Sequence, residues 1–290
     1  MTTEQKGQIL DALLRYASQF PNQATAAEQL DGVSTTTISL VKNKKWGRVS
    51  ERMWNNIARQ VGFYCGEELK PADTGTYLLL RILLGDARRY SMAYGVAIET
   101  GLGKTFCARQ YAAGHEYTHY ICCNEHMNRK TFLSALLQRM NHEVSGNIEA
   151  NMQLLITVLE AQEEPLLIID DAHKLKDRVL HFVITLYKRL INHCGIIILG
   201  NDTLRTRVIE GARMQKQLYE EIYNAIGRRF VTLGQCGPRD VELVCKANGI
   251  DDAILITSIK ETAKGNLHLV KKLIEETKPK MQYNILKNVA

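Results

Sequence analysis

Apolar positions along the chain follow three regimes. Up to about Leu69 they recur at helical spacing in short stretches punctuated by Gly and Asn, ending at the break Lys70-Pro71-Ala72-Asp73, where proline disfavours helix in the residue before it. From Thr74 to about Arg89 a longer helix-periodic stretch leads in. Apolar β-type runs then alternate with helical ones: Met92–Ile98, Tyr117–Cys122, Leu166–Asp170, Ile196–Leu199 and Phe230–Leu233. Apolar runs of that kind, separated by helices, predict a parallel sheet covered by helices. After Gly237-Pro238 the spacing is helical again. The pattern divides the chain into an all-helical segment 1–70, an α/β core 71–236 and a helical lid 237–290, with no internal repeat and no low-complexity tract.

The first β-type run ends in the chain's most informative loop. Ile98-Glu99-Thr100-Gly101-Leu102-Gly103-Lys104-Thr105 joins a β-branched run to a helix of good formers from Phe106 onward. Gly101 and Gly103 can take the backbone angles that turn successive N–H groups toward phosphate oxygens, and the helix start adds its positive end. Residues 99–106 form the expected nucleotide cradle. Lys104 would bridge the β- and γ-phosphates of ATP, and the Thr105 hydroxyl would ligate Mg2+. Where the pattern G-x-x-x-x-G-K-[ST] usually opens on glycine, this chain has Ile98, so the loop entrance must be shaped differently.

About 65 residues further on, Leu166-Leu167-Ile168-Ile169 runs into Asp170-Asp171, the pattern of a central parallel strand whose C-terminal end faces a ligand. Asp170 is the expected Mg2+ holder. Asp171 stands where a water-orienting glutamate is usual and is one methylene shorter, which predicts slow hydrolysis. Asn201, at the tip of the run Ile196–Leu199, is read either as a sensor of the attacking water or γ-phosphate or as a turn residue. Arg228 and Arg229 precede the last run. One of them is read as an arginine finger toward a neighbouring subunit's γ-phosphate, against the alternative of a solvated basic pair.

In the first segment, a helix from Ala24, a turn at Gly32 and a second helix capped by Ser34, with Ile38 and Val41 facing inward, follow helix-turn-helix grammar. Ser34, Thr35, Thr36 and Thr37 occupy the end that would enter a major groove, and Lys42, Lys44, Lys45 and Arg48 follow for phosphates. Asp31 is one extra residue before the turn glycine. Trp46 and Trp54 read as core or packing residues. A small protein-docking module is the competing interpretation of this segment.

Composition adds three limits. With 45% hydrophobic and 23% charged residues and only five prolines, the chain is expected to fold as an ordinary globular protein. No run approaches the roughly 20 apolar residues of a membrane span; residues 1–20 lack an apolar signal core, and seven cysteines show no zinc-site spacing. No membrane association and a cytoplasmic location are therefore expected. The net charge of +6 permits a polyanionic partner without requiring one.

Together, the helix-turn-helix, E-T-G-L-G-K-T, L-L-I-I-D-D-A-H, I-I-I-L-G-N-D, I-G-R-R and G-N-L-H, in that order, resemble the phage Mu B family of AAA+ transposition ATPases over nearly the whole chain. The last motif is similar to a lid motif G-N-x-R, with His268 where arginine would meet nucleotide. The resemblance implies a P-loop AAA+ core, ATP-dependent assembly of filaments or rings on double-stranded DNA, capture of a target site and its delivery to a transposase for DNA recombination. It also implies basic and amide groups lining a filament interior; the matching positions are Asn128, Arg129 and Lys130, and Arg205, Arg207, Arg213 and Lys216. Two other functions compete: a helicase loader or insertion-sequence helper with a related core, and a DNA-binding regulator that uses nucleotide only as a switch.

Overall fold

A computed structural model describes residues 3–17, 20, 23–61, 69–228 and 230–277. The chain divides into two compact units, residues 1–69 and 70–290.

In the first unit, helices α1 (Thr3–Ala17), α2 (Gln23–Glu28), α3 (Thr35–Lys42) and α4 (Glu51–Gln60) enclose Ile9, Leu13, Leu30, Ile38, Val41, Trp54 and Ile57. Ser34 caps α3 by accepting from the Thr37 N–H at 3.1 Å. The α2–α3 turn passes through Gly32 at φ +67°. The extra residue Asp31 is absorbed by α4: its carbonyl accepts from Asn56 and Gln60, and its N–H donates to Gln60. Trp46 meets Trp54 edge-on with ring centroids 5.8 Å apart, and its indole N–H donates to the Val41 carbonyl.

The second unit opens with α5 (Gly75–Arg89) and then alternates: β1 (Ala93–Ala97), α6 (Lys104–Gly114), β2 (Thr118–Cys122), α7 (Arg129–Arg139), α8 (Ile148–Glu160), β3 (Leu166–Asp170), α9 (Asp177–Arg189), β4 (Gly195–Gly200), α10 (Asp202–Arg213), α11 (Gln217–Ala225) and β5 (Phe230–Thr232). Helices α12 (Pro238–Ala247), α13 (Ala253–Ala263) and α14 (267–277) follow. The five strands form one parallel sheet in the order β2-β3-β4-β1-β5. Both faces are buried, and successive side chains alternate between them. Leu167, Ile169, Ile196 and Ile198 pack beneath α7, α8 and α9, whereas Leu166, Ile168, Ile197 and Leu199 pack with α5 and α6.

This order decides where a ligand can sit. β4 lies between β1 and β3, so the C-terminal ends of those three strands stand side by side, in the position where open α/β sheets bind ligands. The stretch leading into α5 is stapled to the C-terminal helices of the same unit. Gly75 N–H donates to Asp240, the Thr76 hydroxyl to the Gly234 carbonyl, and Lys70 exchanges two hydrogen bonds with the Asn248 side chain. No described helix is long and apolar enough to cross a membrane.

Candidate functional site

The loop after β1 shows why isoleucine replaces the usual first glycine. Ile98 is the first residue past β1, yet its N–H still donates to the Gly200 carbonyl at 3.0 Å and its side chain is buried in the α5–α6 core. The tight turning begins only at Gly101 (φ +90°) and Gly103 (φ +79°), backbone angles that side chains resist. Gly103 immediately precedes α6, so the first free amides of that helix open toward the loop. Glu99 and Thr100 are exposed, Leu102 is buried, and Phe106 lies 6.4 Å from the Tyr77 ring.

Four side chains converge at the ends of β1 and β3. The Thr105 hydroxyl donates to Asp170 Oδ2 at 2.7 Å, and Lys104 Nζ lies 3.4 Å from Asp170 Oδ1 and 2.9 Å from Asp171 Oδ1. Asp170 is fully buried yet well partnered, since its Oδ1 accepts the Asp171 N–H at 2.8 Å and its Oδ2 the Tyr120 hydroxyl at 3.0 Å. Asp171 adopts the left-handed conformation (φ 54°), one that aspartate tolerates better than most residues. Its other oxygen, Oδ2, accepts from Lys174 Nζ at 2.8 Å.

Burial by itself would raise the Asp171 pKa, but hydrogen bonds from Lys174 and Lys104 outweigh it and hold the carboxyl at about 2. A depressed carboxylate contributes stability above its ordinary value that is lost as pH falls through the depressed one. Nucleotide-free protein should therefore lose thermal stability between about pH 4 and pH 2 more steeply than Asp171→Asn. Parallel profiles from melting curves across that range would refute the assignment. At Tyr120, burial and the neighbouring Asp170 push the phenol up and keep it protonated, as its role of donor requires. The Arg109 guanidinium lies 5.5 Å from that ring's centroid.

These groups fit a magnesium-bound nucleoside triphosphate. An ammonium and a run of backbone N–H groups suit phosphate oxygens; a hydroxyl and a carboxylate suit a small hard cation. Among the described residues no group of three or more His, Cys, Asp or Glu side chains forms a metal site of its own.

Around this centre the other expected residues are placed unevenly. Asn201 ends β4 beside the loop, but its Oδ1 caps α10, accepting from the Leu204 N–H and the Thr203 hydroxyl; only its amide nitrogen can be offered to a ligand. Arg228 is exposed at φ 57°, its Nε donating to Asn224 at 2.7 Å; Arg229 lies outside the described residues. His268 is exposed, and its N–H caps α14 through Asn266. Asn266 and Leu267, not His268, meet the phosphate loop. The Leu267 N–H donates to the Gly101 carbonyl at 2.7 Å, and a Cβ added at Gly101 would stand 2.7 Å from Asn266 Oδ1.

The basic positions also differ in use. Arg129 and Lys130 are exposed at the start of α7, which Asn128 caps with its own side chain. Arg205 pairs with Asp202 at 2.7 Å. Arg207 turns inward and donates to the carbonyls of His173 and Leu175, bracing the turn after β3, whereas Arg213 and Lys216 are exposed at the α10–α11 junction. In the first unit Thr35, Thr36, Lys42, Lys44, Lys45 and Arg48 are exposed, while the hydroxyls of Ser34 and Thr37 bond each other at 2.9 Å.

Residues 95–208 match the family described as AAA domain. The α/β core has an AAA+ P-loop fold. Cdc6p from Pyrobaculum aerophilum is a similar solved structure, with 16% identity, a TM-score of 0.45 and a match covering 63% of this chain. The chain spans about half the length of that protein, since the match covers 50% of it. No curated protein matches. Sequence reading of this AAA+ core passed over Tyr120, Lys174, Asn266 and Leu267. Two signals were usable: Lys174 puts an opposite charge three residues after Asp171, and Asn266 and Leu267 belong to the G-N-L-H stretch in which only His268 was assigned to nucleotide.

Proposed function

We propose that this protein is an ATP-dependent DNA-binding AAA+ ATPase that assembles on double-stranded target DNA and delivers it to a transposase. The observation that carries the ATPase part is the convergence of Lys104, Thr105, Asp170 and Asp171 at the end of a glycine-turned loop. Lys104 and the loop amides bind the phosphates; Thr105 and Asp170 hold magnesium, which supplies charge neutralisation when bound. Asp171 orients the attacking water and Asn201 offers its amide from the neighbouring strand. Arg228 or Arg229 serves a neighbouring subunit.

Support for DNA as partner is the exposed series Lys42, Lys44, Lys45 and Arg48 following the α3 N-terminus in a helix-turn-helix arrangement. Arg129, Lys130, Arg213 and Lys216 add exposed cations on the core. The Mu B resemblance supplies target capture and the transposase. The same helix-turn-helix segment argues against a helicase loader. A nucleotide-switched regulator is favoured by one observation, that both Asp171 oxygens are held by lysines.

Electron microscopy of the protein on duplex DNA with ATP and with ADP separates these. Filaments with ATP alone are expected. Discrete complexes at fixed positions, alike in both nucleotides, would establish the switch instead.

A further inference from the structure

Asp171 is short, and where its carboxylate points depends on what holds it. Lys104 takes Oδ1 at 2.9 Å and Lys174 takes Oδ2 at 2.8 Å. The two lysines are not equivalent. Lys104 rises from the phosphate loop and is the cation that a triphosphate draws away, whereas Lys174 sits on the short 3-10 turn Ala172–Lys174 behind the carboxylate.

That turn is anchored from several sides. The Lys174 N–H donates to the Asp171 carbonyl at 3.0 Å, the Leu175 N–H to the Ala172 carbonyl at 3.1 Å, and Ala172 is fully buried. From α10, the Arg207 guanidinium reaches the His173 and Leu175 carbonyls, the second at 3.1 Å. Lys174 is thus mounted on a braced support, and Asp171 is its only carboxylate partner among the described residues.

We propose that Lys174 is a positioning residue for hydrolysis: it retains Asp171 by Oδ2 so that Oδ1, vacated when Lys104 turns to phosphate, faces the terminal phosphoryl group. This rests on the reading of Asp171 as the water-orienting group. In the step, the water oxygen forms the new bond to the γ-phosphorus while the bond to the β–γ bridging oxygen breaks, its electron pair leaving on ADP. The water proton passes to Asp171 Oδ1 and on to solvent. Phosphoryl transfer through a loose transition state depends on orientation more than on base strength, so an ammonium beside the carboxylate helps by fixing it. Arg207 acts one step further back, through the turn.

The test compares wild type, Lys174→Met, Lys174→Arg and Asp171→Asn in steady-state ATP turnover, and measures magnesium-dependent affinity for ADP and for ADP with aluminium fluoride by calorimetry. Lys174→Met is expected to lower kcat by about 10- to 100-fold, with KM and ADP affinity within about twofold of wild type. Affinity for the aluminium fluoride complex should fall with kcat, and Lys174→Arg should recover most of both. An unchanged or raised kcat in Lys174→Met overturns the proposal, as does an equal loss of affinity for ADP and for the fluoride complex. Failure of Asp171→Asn to lower turnover overturns the reading of Asp171 beneath it. Loss in Asp171→Asn without loss in Lys174→Met overturns the positioning role alone.

Discussion

Lys104→Ala will abolish the stabilisation that magnesium ATP gives the protein and will weaken the nucleotide-free fold as well. The ammonium lies between a fully buried carboxylate and a partly buried one, 3.4 Å and 2.9 Å away, with its own side chain only 13% exposed. Removing it leaves two adjacent carboxylates, with Lys174 still paired to Asp171. Breaking a buried charge cluster by deleting one partner costs about 3 kcal/mol, lessened here because Thr105, Tyr120 and the Asp171 N–H still serve Asp170. Nucleotide affinity loses its charge-assisted bonds to phosphate as well and should fall at least about 100-fold. Thermal melts with and without nucleotide report both effects, since a ligand raises the midpoint only as far as it binds the folded state. A variant that keeps the wild-type rise would overturn the assignment of Lys104 to phosphate.

Asp170→Ala should be the more damaging change to the fold. Four donors converge on this carboxylate: the Thr105 and Tyr120 hydroxyls, the Asp171 N–H and Lys104. Alanine strands the two hydroxyls and the Asp171 N–H at a buried position and leaves Lys104 with Asp171 as its carboxylate, at a cost of about 3–5 kcal/mol. Asp170→Asn separates structure from chemistry. An amide of the same shape still accepts from some of these donors and recovers part of the stability, but it lacks the charge that holds a divalent cation, and turnover should fall at least about 100-fold. Urea melts and ATP turnover measured on both variants decide the matter. Equal stability of the alanine and asparagine variants would mean that the hydrogen-bond cluster contributes little. Turnover preserved in Asp170→Asn would remove Asp170 from the magnesium site.

The sheet was legible because parallel strands buried on both faces must be apolar at nearly every position; Leu166–Ile169 and Ile196–Leu199 leave no other economical reading. Strand order was not legible, since pairing between distant segments leaves no local pattern. The convergence of Lys104, Thr105, Asp170 and Asp171 could be drawn in advance because loop glycines and strand-end carboxylates have short-range signatures. Tyr120 could not: within an apolar strand a tyrosine reads as core, and its hydroxyl becomes informative only when β2 is known to lie beside β3. Arg207 shows the reverse error. Grouped by sequence with the exposed arginines around it, its guanidinium is committed to backbone carbonyls on another element. Charge is visible in a sequence, but direction is not.

Both tryptophans of the chain, Trp46 and Trp54, lie in the first unit, which leaves the AAA+ core with tyrosine as its only phenolic or indole chromophore. Light absorbed at the red edge of the aromatic band therefore excites only the helical unit, and the emission of that edge-on indole pair follows its unfolding. Nucleotide binding to the core can be titrated in the same cuvette through a labelled nucleotide. The molecule carries, in effect, a separate optical channel for one of its two parts.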